Sequence, residues 1–272
     1  MSEFRSMTDI IKSLGFDIPF DKDGAPDIDM AESFNQDTGD LDETDGYHCD
    51  ICKNKGYTAF LKDEGLVVSP CECLEIRRSI RKARKSGMDF MLSKFTFDSF
   101  IAKEEWQKQI LQKAKKFTES ETSRWFFIGG QVGCGKTHIC TAICGELLKR
   151  GTDTLYMVWS EDAKRLKSMV NDPLYTDEIN RYKNVSALYI DDFMKVRSGE
   201  EPTNGDINLA FEIINHRMLS KDKITVISSE KTLKELLSYD EALMSRIYKR
   251  CGEFNISVGK DIKKNYRLRG KK

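Results

Sequence analysis

The chain reads as an α/β fold, a parallel sheet with helices on both faces, joined to a small cysteine-bearing module. Three observations predict it. From Phe95 onward, short apolar strands alternate with helical stretches, the pattern of a parallel sheet. Gly130-Gln-Val-Gly-Cys-Gly-Lys-Thr137 fits the pattern G-x-x-x-x-G-K-[ST] at every fixed position. Val185-Ser-Ala-Leu-Tyr-Ile-Asp191-Asp192 is an apolar strand that ends in two carboxylates.

In chain order, Phe4, Met7, Ile10, Ile11 and Leu14 predict a short amphipathic helix over 4–14. Residues 17–46 are acidic, rich in Asp and Gly and without periodicity, and read as a flexible linker; a docking arm or nucleic-acid mimic is the functional alternative. A cysteine knuckle follows over 47–75, then a basic connecting helix over 75–93. Strands are expected near 124–128, 153–159, 185–190, 223–229 and 253–258. The domain division is therefore 1–46, 47–94 and 95–272.

The context of the glycine-rich loop is that of a phosphate site. Arg124–Ile128 before it reads as a buried strand, and apolar residues at 139, 143 and 147 give one face of a helix after it. Backbone N–H groups of Gly130, Gln131, Val132, Gly133, Cys134 and Gly135 would form an anion nest at a helix N-terminus. Lys136 would reach the β- and γ-phosphates of ATP, and the Thr137 hydroxyl would ligate Mg²⁺. In the acidic pair, Asp191 would hold Mg²⁺ beside Thr137, and Asp192 would orient or deprotonate the attacking water. One expected strand, Thr154–Trp159, lies between the two motifs. That places the chain in the phosphate-loop subclass with an inserted strand, which includes the AAA+ ATPases. The second in-line acid argues against nucleoside and nucleotide kinases.

Two further stretches carry weaker signals. Lys223–Glu230 is a buried strand ending in polar residues; Ser229 or Glu230 there would sense the γ-phosphate, or Ser229 would cap the following helix. Arg246 is isolated on a helix over 240–247, where a solvated arginine and an arginine finger are both open readings.

Cys49-x-x-Cys52 and Cys71-x-Cys73 bring four thiols in two close pairs, the donor set of a closed structural Zn²⁺ site, with unliganded thiols or an iron–sulfur cluster as the alternatives. His48 is a fallback ligand. Cys134, Cys140, Cys144 and Cys251 read as small buried hydrophobes. No apolar run resembles a signal peptide or a membrane span, so a cytoplasmic protein without a membrane partner is expected, its thiols reduced.

Net charge is zero, which hides a segregation. Asp17–Asp45 holds eleven acidic residues against one lysine, Arg77–Lys85 has six basic residues in nine, and 260–272 has seven Lys or Arg against one Asp. The two basic stretches could follow a phosphate backbone or simply be solvated.

Several motifs together carry a resemblance. They are the four knuckle cysteines, Phe95-Thr-Phe-Asp-Ser-Phe100, Gly129–His138, Tyr189-Ile-Asp-Asp-Phe193, Ile213-Ile-Asn-His-Arg217, Ile227-Ser-Ser-Glu230, Ser245-Arg-Ile247 and Asn265-Tyr-Arg267. Over about residues 46–270 the chain resembles the DnaC/DnaI-type helicase loaders, including phage and prophage forms of Gram-positive bacteria. The ATPases of IstB-type transposition systems share that core. The resemblance implies an AAA+ ATPase that grips a hexameric replicative helicase, places it on single-stranded DNA and self-associates through its ATP sites. It also implies that the loop through His138 binds ATP, that Ser229 or Glu230 is the first sensor, Arg246 the arginine finger and Arg267 the second sensor. Asp192 stands where many relatives carry Glu, which shortens its reach to water, and Glu230 stands where many carry Asn. A transposition ATPase, and a zinc-containing DNA-binding adaptor with ATP as a switch, are the alternatives.

Overall fold

Residues 28–62, 65–120, 125–197 and 200–268 are described in a computed structural model of the chain. The expected helix over 4–14 lies outside them. The chain divides into two compact units, Met1–Arg77 and Arg78–Lys272.

In the first unit, helices α1 (Ile28–Gln36) and α2 (Leu41–Asp45) form inside the stretch expected to be linker. Ala31 and Phe34, three residues apart, give α1 an apolar stripe too short to stand out in an acidic run. That stripe is covered by a hairpin, β1 (Tyr57–Lys62) and β2 (Gly65–Pro70), paired antiparallel from Tyr57↔Pro70 to Lys62↔Gly65. Ala59 and Leu66 complete a small core. Asn35 ties α1 to β1: its amide donates to the Ala59 carbonyl at 2.7 Å and its oxygen accepts the Ala59 N–H at 3.0 Å. Gly46, in the left-handed region, closes α2 by donating to the Asp42 carbonyl.

The basic connecting helix is interrupted. Helix α3 spans Cys73–Ala83, a π-type turn spans Arg84–Met88, and α4 spans Asp89–Lys94. Gly87 takes φ 95°, which breaks the run.

The second unit continues with α5 (Glu105–Glu119), opened by a capping box between Glu104 and Gln107. Then come β3 (Trp125–Gly130), α6 (Lys136–Lys149), β4 (Thr154–Val158), α7 (Trp159–Ser168), α8 (Tyr175–Asn184), β5 (Ala187–Asp191), α9 (Asn204–Met218), β6 (Ile224–Ser229), α10 (Leu233–Leu236), α11 (Glu241–Cys251) and β7 (Asn255–Val258). The five strands join in the order β4-β5-β6-β3-β7, every pair parallel.

Every residue of β3 is buried, as a strand covered on both faces requires. Alternation sorts its side chains. Trp125 and Phe127 meet Trp159, Leu166, Ile213 and Ile247 on one side. Phe126 and Ile128 meet Ile110, Phe117, Ile139 and Ile143 on the other. Ile139, Ile143 and Leu147 face the core, as the spacing predicted.

Arg217, from the Ile213–Arg217 stretch, is fully buried near the end of α9. Its guanidinium donates to the carbonyls of Tyr182 (2.9 Å), Val185 (2.8 Å) and Ile224 (2.6 Å), and to Thr225 Oγ1 (3.0 Å). Burial pulls its pKa down to about 9, so it stays charged at neutral pH. It fastens the α8–β5 connection to the start of β6.

Candidate functional site

The carboxyl ends of parallel strands collect ligand-binding loops, and here β3, β5 and β6 deliver the phosphate loop, the acidic pair and the Ser228–Glu230 stretch to one end of the sheet. The loop's glycines are required by their surroundings. Gly133, at φ 73°, lies so close to the Asn265 side chain that a Cβ would collide with its oxygen. A Cβ on Gly135, at φ 96°, would sit 2.9 Å from the Phe100 ring. Lys136 is buried, and its ammonium donates to the carbonyls of Gly130 (3.0 Å) and Gln131 (2.8 Å). A cation held by neutral carbonyls over an anion nest is an arrangement that fits a polyphosphate. Val132 is exposed at the loop's tip. Cys134 is buried, and burial pushes its thiol up against the pull of Lys136, so it is a poor nucleophile.

His138 is enclosed by the Phe95–Phe100 stretch. Its ring stacks on Phe95 at 4.8 Å, meets Phe100 edge-on at 5.2 Å, and lies 2.9 Å from the Thr96 carbonyl and 3.2 Å from Ser99 Oγ. Burial lowers its pKa against the Thr96 hydrogen bond. The Phe95–Phe100 stretch is thereby clamped to the first turn of α6.

At Asp191 the donors converge. Thr137 Oγ1 lies 3.4 Å from Oδ1, the Asp192 N–H donates to Oδ1 at 3.1 Å, Tyr156 OH donates to Oδ2 at 2.9 Å, and Ser228 Oγ donates to Oδ1. Sequence reasoning missed Tyr156 and Ser228. Burial and the adjacent Asp191 keep the Tyr156 phenol protonated, so it is a fixed donor. The strand register explains Ser228: successive residues of β6 face opposite ways, so only one of the two serines can meet Asp191. Ser229, the serine singled out from sequence, donates instead to the Phe193 carbonyl at 2.9 Å and accepts the Lys231 N–H at 3.2 Å.

Asp192 and Glu230 share one cation. Lys195 Nζ is 2.8 Å from Asp192 Oδ2 and 2.9 Å from Glu230 Oε1. Burial opposes the ammonium's charge, but the two carboxylates outweigh it and raise its pKa.

The C-terminal segment lies on the phosphate loop. Tyr266 N–H donates to the Gly133 carbonyl at 2.9 Å, Asp261 N–H to Gln131 Oε1 at 2.8 Å, and Gln131 N–H to the Val258 carbonyl at 3.0 Å. Arg267 follows directly; its backbone N–H donates to Asn265 Oδ1 at 3.1 Å and its side chain is exposed. Arg246 lies elsewhere: it donates to Asn215 Oδ1 at 2.7 Å and covers the Phe211 ring of α9 at 5.7 Å.

The first unit has its own centre. Cys49, Cys52, Cys71 and Cys73 are all buried, with their sulfurs within 4.8 Å of one another. Cys49 and Cys71 sulfurs are 3.8 Å apart, and those of Cys52 and Cys73 are 3.5 Å apart. Four sulfurs at about 2.3 Å from one tetrahedral Zn²⁺ would be separated by about 3.8 Å, so the geometry fits that ion. Lys53 and Asn54 take φ 47° and 67°, folding the first pair into a knuckle. The Gly56 N–H donates to Cys52 Sγ at 3.2 Å. Arg77 is fully buried; it pairs with Asp45, donates to Asn54 Oδ1 at 3.0 Å and lies over the Tyr47 ring at 5.4 Å. Burial pushes the Cys73 thiol up, and the Arg77 guanidinium opposes that by favouring the thiolate. His48 stands outside this set, 3.2 Å from Asp50 and 3.4 Å from Asp42.

Among known families, the model described as the bacterial DnaA ATPase domain matches residues 91–251. The phage-like element PBSX protein XkdC of Bacillus subtilis is 29% identical over 82% of this chain and 87% of its own length. The replicative helicase loader DnaC of Escherichia coli is 25% identical over 70% of this chain and 78% of its own. The replication initiator DnaA bound to AMPPCP and single-stranded DNA superposes with a TM-score of 0.50 at 25% identity, over 61% of this chain; the matched part is 49% of that structure.

Proposed function

The chain belongs to the bacterial DnaA ATPase-domain family, an AAA+ ATPase of replication initiation, and from that premise we propose that it uses ATP to place a hexameric replicative DNA helicase on single-stranded DNA. The observation that carries the reading is the joining of two findings. The phosphate loop, the Thr137–Asp191 contact and the Ser228–Glu230 stretch meet at one end of the sheet, and the sequence is 25% identical to that of a replicative helicase loader over 70% of this chain.

In this reading the loop from Gly130 to His138 binds the ATP phosphates, and Lys136 exchanges its two carbonyl partners for phosphate oxygens. Thr137 and Asp191 hold Mg²⁺, whose role is to neutralise charge on the transferred phosphoryl group. Asp192 orients the attacking water or accepts its proton. Ser228 and Tyr156 fix the Asp191 carboxylate, and Ser228 takes the structural place expected of Ser229. Arg267 enters from the C-terminal segment. Arg246 completes the ATP site of a neighbouring subunit, and turnover is stimulated by DNA or by self-association. The cysteine module carries one structural Zn²⁺ and, with the segment before it, forms the helicase-docking part, separate from an ATPase part over 95–272. Among the described residues no helix is long and apolar enough to cross a membrane, in keeping with action in the cytoplasm.

The test is capture of the replicative helicase hexamer by the intact chain, with and without ATP, alongside ATP hydrolysis with and without single-stranded DNA. ATP-dependent capture and DNA-stimulated hydrolysis are expected. ATP binding with neither capture nor stimulation would reject helicase loading.

A further inference from the structure

Resting on the ATPase reading, the loop after Asp191 makes a finer point about Asp192. Its backbone is fixed from several sides. Asp192 N–H donates to Asp191 Oδ1 at 3.1 Å and lies 3.2 Å from Ser228 Oγ. The Phe193 N–H donates to the Ser228 carbonyl at 2.8 Å, and the Phe193 carbonyl accepts from Ser229 Oγ at 2.9 Å. Phe193 and Met194 are buried, and Lys195 N–H closes the turn on the Asp192 carbonyl at 2.9 Å. Asp192 and Met194 take φ 53° and 58°, values that non-glycine residues keep only when their surroundings hold them there. With the main chain immobilised, the freedom left to Asp192 is rotation of its side chain, and Lys195 occupies that freedom.

We infer that Lys195 is a positioning residue that restrains Asp192. It holds the Asp192 carboxylate in an ion pair anchored on its far side by Glu230, and this pair opens before the carboxylate engages a water at the nucleotide. The loop does not depend on the pair for its shape, because its backbone hydrogen bonds and the burial of Phe193 and Met194 already define it. The pair is partly solvent-accessible, with Lys195, Asp192 and Glu230 side chains 37%, 30% and 35% exposed. Ion pairs in that setting are weak, so the restraint is a modest brake and not a block.

The experiment measures ATP affinity and steady-state hydrolysis for the intact wild-type chain, Lys195→Ala and Lys195→Arg. Lys195→Ala is expected to raise kcat about two- to fivefold at unchanged KM. Lys195→Arg, which keeps a cation between the two carboxylates, is expected to stay close to wild type. A residue that merely supported the fold would lower kcat on removal. Equal or lower kcat in Lys195→Ala with ATP affinity retained overturns the restraint and leaves the ATPase reading standing. A Lys195→Arg chain as fast as Lys195→Ala also overturns it. A wild-type chain that binds no ATP overturns both.

Discussion

The cysteine module and the ATPase unit reach stability by opposite routes. The ATPase unit buries large side chains on both faces of its sheet, Trp125 and Phe127 on one and Phe126 and Ile128 on the other. At about 1.5–3 kcal/mol for each fully buried large side chain, such layers hold themselves. Among the described residues the module has four buried apolar residues besides its cysteines, two of them alanines. It relies on point contacts instead: four converging sulfurs, the Arg77–Asp45 pair and the Asn35–Ala59 hydrogen bonds. A core that small needs a staple. The difference teaches where each unit is fragile, the module to loss of one cysteine and the ATPase unit to loss of a buried polar tie.

The largest expected effect breaks the module alone. Elemental analysis should find one zinc per chain, and chelation or Cys52→Ala should unfold the module, since structural zinc contributes on the order of 10 kcal/mol. Circular dichroism and proteolysis would show the loss, while ATP binding persists. Simultaneous loss of both would dissolve the contrast. Next in size is Arg217→Met. It leaves several buried carbonyls without donors, and a cost of about 3 kcal/mol is expected, seen as a fall in the ATPase unit's Tm of about 6–12 °C. The module's zinc content should not change. A smaller effect, on binding alone, sharpens the comparison further. Lys136→Ala should weaken ATP at least about thirtyfold by titration, with the fold retained and zinc content unaltered. Unchanged ATP affinity would remove Lys136 from the phosphate site.

Much of the ATPase unit was legible because its signals are periodic or fixed in spacing. Ile139, Ile143 and Leu147 announce the helix after the loop, and Asp191–Asp192 announce the strand end facing it. Tyr156 and Ser228 were not legible, because their place beside Asp191 depends on which face of β4 and β6 turns toward the loop. That choice is made by strand register, which no single strand's sequence contains. In the module the cysteine spacing exposed the centre, but Asp45 and Arg77 looked like members of an acidic run and a basic run. They become a buried pair only when chain segments 32 residues apart meet. Helix α1 was hidden for a related reason: its apolar stripe is short, and the hairpin that covers it lies later in the chain.

The order in which the sheet is assembled has a consequence for synthesis. Strand β3 carries the phosphate loop, yet its neighbour β7 and the Asn265–Tyr266 contact on Gly133 come about 130 residues later. At ribosomal speeds of about 5–20 residues per second, the growing chain waits on the order of ten seconds before the loop gains those partners. Through that interval the nascent protein carries its nucleotide loop without the strand and the tail that finish it. Vectorial folding therefore delays completion of the ATP site until the stretch from β7 to Tyr266 has emerged, well after the cysteine module.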